Sequence, residues 1–321
     1  MPTPKVHINK KDHTETANGP NKSIDNQYQY IPVDFIKCEV INFSPSELLN
    51  NKNLNFVRTF NEDTGELQTH TNEGNYIKQI PRIANYKGLR FIIYDNGKMY
   101  FLGSLHKFYN DGLHNYNDFN SEAYQEVLKC LEKDFKLLPI HLRIQTLEYG
   151  LNFIPPIATD LILKHCLVHK RQNIIDSIPN ANGKYKQAKH QKYILKLYNK
   201  AKQYGLSFEL MRIEIKQTNW SEYVKMGIAT LEDFNFFNKV YLINKLIKNW
   251  DSVIFYDPTI SRKHKQPDYS NILYWDNLNE KSNNTYYNHV RKIRILNLKG
   301  NNIQSTITML IIDKMNSLQN N

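Results

Sequence analysis

No stretch of the 321-residue chain approaches the roughly 20 consecutive apolar residues that a membrane-spanning helix needs, so no membrane partner is expected. The N-terminus lacks the apolar core of a secretory signal. Cysteine is scarce: Cys38, Cys130 and Cys166 are odd in number and far apart. That spacing argues against a disulfide framework or a cysteine-based zinc site, and all three are expected as small buried hydrophobes in a reducing compartment. Acidic residues are outnumbered, 31 Asp and Glu against 42 Lys and Arg, a net charge of +11. An excess of that size points to an anionic partner, nucleic acid ahead of a membrane surface.

Aromatics, by contrast, are plentiful. The 21 tyrosines and 15 phenylalanines offer stacking surfaces for unpaired bases, although most are needed for a core. Residues 1–30 are polar and rich in Asn, Lys and Thr, and are read as a flexible arm. The first strand is expected over Asp34–Phe43, and Ser44-Pro45-Ser46-Glu47 as a turn into a short helix. Leu89–Tyr94 and Lys98–Phe108 flank Asp95-Asn96-Gly97, a strong hairpin signal. Ser121–Phe135 carries an apolar stripe at helical spacing, and a second helix is expected over Ala158–Lys170. A basic loop then runs to His190, its charge concentrated in Lys184–Lys192. After Gln217 the pattern turns helical: Thr230-Leu-Glu-Asp233 resembles a capping box ahead of a helix over Phe234–Trp250. Further on come the basic run Arg291-Lys292-Ile293-Arg294 and an apolar stretch, Ile303–Met315. The expectation is an α+β fold: an arm over 1–30, an antiparallel-sheet catalytic domain over 31–217 and a mainly helical region over 218–321.

Alternation along three late strands concentrates polar groups on one face, because successive strand side chains point to opposite sides. In Met211–Lys216 the apolar set is Met211, Ile213 and Ile215, opposite Arg212, Glu214 and Lys216. In a strand expected over Tyr193–Lys202, Tyr193, Leu195 and Leu197 oppose Ile194, Lys196, Tyr198 and Lys200. In Leu147–Phe153, Leu147, Tyr149, Leu151 and Phe153 oppose Glu148, Gly150 and Asn152. Upstream of Gln145 the phase changes, since Leu142 and Ile144 have the other parity, so a bulge is expected there. If the strands share a sheet, Glu148, Asn152, Tyr198, Lys200, Arg212 and Glu214 converge. Such a face can hold a hard divalent cation on Glu148 and Glu214. It can also present Tyr198 as a covalent nucleophile toward a phosphodiester, with Lys200 and Arg212 stabilising the extra charge. It can equally be a solvated surface with ordinary cross-strand Glu–Lys and Glu–Arg pairs.

Gly103-Ser-Leu-His-Lys107 closes the second hairpin strand and puts Ser104 and His106 on one face; Leu113-His-Asn115 follows in a loop. His106 is a candidate third metal ligand or a hydrogen-bonded structural residue. No His-hydrophobic-His pair is present, and Ile140-His141-Leu142 supplies only half of one.

The ordered set Gly103-Ser-Leu-His-Lys107, His114-Asn115, Leu147-Glu-Tyr-Gly-Leu-Asn152, Leu197-Tyr-Asn-Lys200, Met211-Arg-Ile-Glu-Ile215 and Gly227-Ile-Ala-Thr-Leu231 resembles the filamentous-phage replication endonuclease family. These are rolling-circle replication initiators of phages and plasmids, and the chain resembles particularly the versions carried by Bacteroidetes elements. The likeness runs from about Val33 to Tyr256. It implies an enzyme that nicks one strand of a circular genome and joins the 5′ end to a tyrosine. By this resemblance Tyr198 is the nucleophile, Lys200 the lysine of its Tyr-x-Lys motif, Glu148 the acidic residue of the earlier strand, and Arg212 and Glu214 the Arg-x-Glu pair. Ser104, Lys107, His114 and Asn115 are expected to contact DNA. Mg²⁺ or Mn²⁺ is the implied cofactor; single-stranded or supercoiled origin DNA and the host helicase and polymerase are the implied partners, in the cytoplasm of a bacterial host. The missing His pair departs from better-known nicking enzymes and leaves the metal shell incomplete. A relaxase or transposase with the same chemistry, and a non-catalytic origin- or operator-binding protein, are the rival readings.

Overall fold

In the computed structural model, which describes residues 29–58, 80–177, 185–261 and 267–319, the alternating segments build one large antiparallel sheet. Its strands and those of a small second sheet are β1 (Val33–Val40), β2 (Val57–Arg58), β3 (Arg82–Tyr86), β4 (Leu89–Ile93), β5 (Met99–Ser104), β6 (Leu142–Phe153), β7 (Cys166–His169), β8 (Gln172–Asn173), β9 (Ile175–Asp176), β10 (Tyr185–Lys189), β11 (Tyr193–Asn199), β12 (Met211–Gln217) and β13 (Val253–Phe255). The large sheet runs β2-β3-β4-β5-β1-β6-β12-β11-β10-β9, and the small one β13-β7-β8. The helices are α1 (Pro45–Leu49), α2 (Leu105–Tyr109), α3 (Ser121–Phe135), α4 (Thr159–His165), α5 (Lys200–Tyr204), α6 (Ser221–Lys225), α7 (Leu231–Phe236), α8 (Val240–Asp251), α9 (Ile272–Asn279), α10 (Asn283–Asn297) and α11 (Ile303–Gln319). The fold is thus mixed α and β, with a large antiparallel sheet and a helical C-terminal region.

The expected periodicities are met where burial enforces them. The β4–β5 hairpin closes through Gly97, whose φ of 82° lies in the region that glycine tolerates without strain. Helix α3 starts on Asn120, whose side chain accepts from the Ala123 N–H, and buries Ala123, Val127, Leu128, Leu131 and Phe135. Phe135 packs against Tyr86 of β3 and Phe91 of β4. The phase change near Gln145 is a register slip: Lys37 pairs with Thr146 but Cys38 with Ile144. Thr230 and Asp233 form the capping box of α7.

The apolar face of the central strands is the floor of the main core. Leu147, Tyr149, Leu151, Leu195, Leu197, Ile213 and Ile215 are all buried there with residues of α7, α8 and α11. Helix α11 lies against both β6 and α8, so the C-terminal region shares this core. A second core of Leu167, Val168, Ile254, Trp275, Tyr286 and Ile293 sits under β7, β13, α9 and α10.

Several boundaries differ from the sequence expectation, each for a local reason. Residues 1–28 and Lys184 lie outside the described residues, while Tyr30 and Ile31 already belong to the core. Within the expected basic loop, Gln172–Asn173, Ile175–Asp176 and Tyr185–Lys189 are the strands β8, β9 and β10, and residues 178–184 lie outside the described residues. The helix expected over Ala158–Lys170 stops at His165, where Cys166–His169 turns into a strand paired with β13. The Phe234–Trp250 helix breaks in two at Phe237, whose extended backbone ends α7; the Lys239 ammonium caps the freed carbonyls of Phe234, Asn235 and Phe237. Cys38 and Cys166 are buried, but Cys130 is exposed on α3. Among the described residues no helix is long and apolar enough to cross a membrane.

Candidate active site

Register places the polar face with little freedom. Across β11, β12 and β6, Lys196 lies opposite Glu214 and Glu214 opposite Gly150; Tyr198 lies opposite Arg212 and Arg212 opposite Asn152; Lys216 lies opposite Glu148. The face is not a solvated surface: Glu214 is 1% exposed, Arg212 2% and Tyr198 8%. Gly150 makes the close packing possible, since a Cβ there would sit 2.1 Å from the Ile213 carbonyl oxygen and 2.6 Å from Glu214 Cβ.

The side chains form one connected network. The Tyr198 hydroxyl donates to Glu214 Oε1 at 2.8 Å. Arg212 Nε donates to Glu214 Oε2 at 2.6 Å, and its other nitrogens reach Asn152 Oδ1 and Asp34 Oδ2 at 3.1 and 3.3 Å. Lys196 Nζ stands between the two glutamates, 2.9 Å from Glu148 Oε2 and 3.1 Å from Glu214 Oε1. Lys216 Nζ takes the remaining Glu148 oxygen at 2.8 Å. Asn115 ties the far side together: it donates to Asp34 Oδ2 and accepts from Lys200 Nζ and the Tyr204 hydroxyl.

A cavity of about 450 Å³ opens onto this network, lined by Glu148, Lys196, Tyr198, Lys200, Glu214 and Lys216, with Lys107 and Tyr185 also in its wall. A neighbouring cavity of about 590 Å³ shares Tyr185 and Gln203 with it. The site is therefore a largely buried floor of paired charges beneath a cleft, with Asp34, Glu148 and Glu214 set among Lys107, Lys196, Lys200 and Lys216.

Electrostatics follow from burial and pairing. Burial opposes ionisation of Glu214, but Lys196 and Arg212 outweigh it and hold the carboxyl well below the usual range. Asp34 is also lowered against its burial, by Arg212. Burial and the adjacent Glu214 carboxylate drive the Tyr198 phenol well above its ordinary value, so it rests protonated. Burial, aided by Arg212, pulls the Lys200 ammonium down to about 8.

The structure brings Glu148, Glu214, Tyr198, Lys200 and Arg212 together, with three adjustments. Lys200 is not in the strand: β11 ends at Asn199, whose side chain caps α5, and Lys200 enters the cluster from the first turn of that helix. Arg212 does not line the cleft; it lies beneath, fixing Glu214, Asn152 and Asp34, and is a positioning residue. His106 is not beside the glutamates. The strand stops at Ser104, α2 begins at Leu105, and His106 Nε2 pairs with Asn117 Oδ1 while its ring stacks on Phe119. Burial lowers its pKa to about 4, so it is neutral.

Of the four expected DNA contacts, Ser104, Lys107 and Asn115 line the cleft and His114 does not. Ser104 caps α2 and donates to Asp34 Oδ1, and Asn115 is the buried hub described above. His114 stacks on Tyr116. Sequence reasoning missed Asp34, Lys196 and Lys216 as members of the cluster. Parity alone marked the two lysines. Asp34 shares the parity of Ile36 and reaches the polar face only because the β1–β6 register slips between Val33 and Ile36.

The Mg²⁺ or Mn²⁺ that the sequence resemblance implies does not fit these residues. All four oxygens of Glu148 and Glu214 are engaged by Lys196, Lys216, Arg212 or Tyr198. Among the described residues no three His, Cys, Asp or Glu side chains gather to hold an ion.

No protein-family model and no curated protein matches the chain. Among solved structures, the rolling circle replication initiator protein from Geobacillus stearothermophilus is similar at 14% identity over 77% of this chain and 93% of that one, with a TM-score of 0.40.

Proposed function

We propose that the chain is a rolling-circle replication initiation protein that nicks one DNA strand at a phage or plasmid origin and holds the 5′ end on Tyr198. The observation that carries this reading is the Tyr198 phenol, hydrogen-bonded to Glu214 on the charged floor of a cleft. The ordered motifs from Gly103 to Leu231 supply the replication context.

In the proposed step Tyr198 Oη attacks the scissile phosphorus, the Oη–P bond forms and the P–O3′ bond breaks. Glu214 orients the phenol through its hydrogen bond, and the phenolic proton passes to solvent in the cleft as the Oη–P bond forms. Lys200 returns a proton to the departing 3′ oxygen, which becomes the free hydroxyl that a polymerase extends. Lys196 and Lys200 face the charge that develops on the phosphoryl oxygens, where fixed donors are worth most because water is excluded. The reverse step rejoins the strand. Nucleotides flanking the cut occupy the neighbouring cavity, with Tyr185 as a stacking surface.

The test is incubation of the chain with a labelled single-stranded oligonucleotide from the element's own origin. The expected result is a cut strand and a covalent protein–DNA adduct, both absent in Tyr198→Phe. Specific binding without cleavage would replace this reading with a non-catalytic origin-binding protein.

A further inference from the structure

We propose that Lys196 stands in the place of a divalent metal ion between Glu148 and Glu214, and that strand cleavage at this site runs on the chain's own cations. The second half of the proposal rests on the nicking function proposed above; the first half does not.

Two carboxylates from adjacent strands converging on one point is the arrangement in which an Mg²⁺ or Mn²⁺ ion bridges oxygens. Here the point between them is filled by the Lys196 ammonium, within 2.9 Å of one glutamate and 3.1 Å of the other. An ammonium has three donors in a fixed charge, so it can bridge two carboxylates and keep a donor for a third acceptor. The outer oxygens are not spare either. Lys216 holds Glu148 Oε1 and Arg212 holds Glu214 Oε2. A metal entering here must strip buried carboxylates from the buried Lys196 and Arg212 and the half-buried Lys216, and leave those cations unpaired.

The charge balance points the same way. Lys196, Lys200, Arg212 and Lys216 face Asp34, Glu148 and Glu214, four formal positive charges against three negative. A divalent ion on two carboxylates comes to net zero, whereas this cluster stands at a formal +1 without one and has no excess negative charge to attract it. His106, the expected third ligand, is turned to Asn117, away from the cleft. What a metal supplies in phosphoryl transfer is charge stabilisation at the phosphoryl oxygens and orientation of the nucleophile. Here Lys196 and Lys200 supply the first, and Glu214, itself held by Arg212, supplies the second through its bond to Tyr198.

Two measurements on the full-length chain decide the proposal. One is Mn²⁺ titration followed by electron paramagnetic resonance. The expected result is no bound ion that Glu214→Gln removes; a bound Mn²⁺ lost in Glu214→Gln overturns the proposal whether or not the protein cuts DNA. The other is cleavage of the origin oligonucleotide in excess EDTA and in Mg²⁺. Equal cleavage in both supports the proposal, and cleavage lost in EDTA and regained with Mn²⁺ overturns it. A chain that cuts under neither condition fails the nicking function, and the Mn²⁺ titration then decides the metal question by itself. Lys196→Ala opens the bridging position: the expected result is loss of EDTA-resistant cleavage together with appearance of a Mn²⁺ site. Lys196→Met, which keeps the side-chain stem, repeats the measurement should the alanine variant not fold.

Discussion

Tyr185 lies directly opposite Tyr198 across the β10–β11 ladder, their ring centroids 4.7 Å apart and their planes inclined by 35°. Both rings line the cleft, and the Lys196 ammonium lies 5.5 Å from one centroid and 6.0 Å from the other. Two phenols therefore have access to a strand bound there. What separates them is Glu214, which accepts from Tyr198. Tyr198→Phe deletes that hydroxyl alone, so it should abolish both cleavage and adduct while the circular dichroism spectrum stays unchanged. Tyr185→Phe keeps a stacking ring and should keep both activities. Mass spectrometry of the adducted peptide checks the assignment, and a nucleotide found on Tyr185 would transfer the nucleophile's role.

Gly150 tests the architecture independently of chemistry. It sits on β6 opposite Glu214, and any side chain would strike the Ile213 carbonyl and the Glu214 backbone. Neither can retreat, because β12 is hydrogen-bonded on both edges. Overpacking of a rigid interior typically costs about 1–3 kcal/mol, and the contact distances here put Gly150→Ala at or above the top of that range, about 3 kcal/mol. Urea denaturation gives the value. A variant as stable as the parent would mean that β6 and β12 do not approach as closely as described.

How far the sequence reveals this site depends on what kind of signal each residue carries. Glu148, Tyr198 and Glu214 were legible because alternation on regular strands is rigid: Leu147, Leu195 and Ile213 need the core, which forces their neighbours to the opposite face. Lys200 was placed correctly for the wrong reason, since the strand had already ended and a helix start carries it inward. Ser104 shows the same limit: the hairpin strand stops there, and a capping serine looks the same in sequence as a ligand-binding one. Asp34 was invisible because a register slip inverts its parity. The burial of the polar face was illegible as well, because it is imposed by the segment around Asn115 and Tyr116, distant in sequence from the strands it covers; Asn152 donates to backbone carbonyls there.

Lys200 gives the reaction a pH signature. Burial lowers its ammonium to about 8, so the group is largely protonated at neutral pH and loses its proton as pH rises through that value. A residue that must donate to the leaving oxygen is active below its pKa and inactive above it. Single-turnover cleavage should therefore fall on the alkaline side of about pH 8. Lys200→Arg keeps the charge on a group that does not deprotonate in this range, so the alkaline fall should vanish or move upward. An alkaline limb identical in the parent and in Lys200→Arg would assign the titration elsewhere.

Lys107 should report how the strand enters the cleft. It stands in the cleft wall on α2, more exposed than the buried lysines of the floor, and Ser104 fixes its backbone by accepting from its N–H. Its role as a phosphate contact makes it part of the counterion-release balance: each phosphate neutralised on a single strand contributes a slope of about −0.7 to the dependence of log affinity on log salt. Lys107→Ala should weaken binding of the origin oligonucleotide and of an unrelated oligonucleotide by the same factor, and flatten the salt slope by about 0.7. Fluorescence anisotropy across a salt series measures both. A loss confined to the origin sequence, with the slope unchanged, would show that Lys107 reads a base and does not neutralise a phosphate.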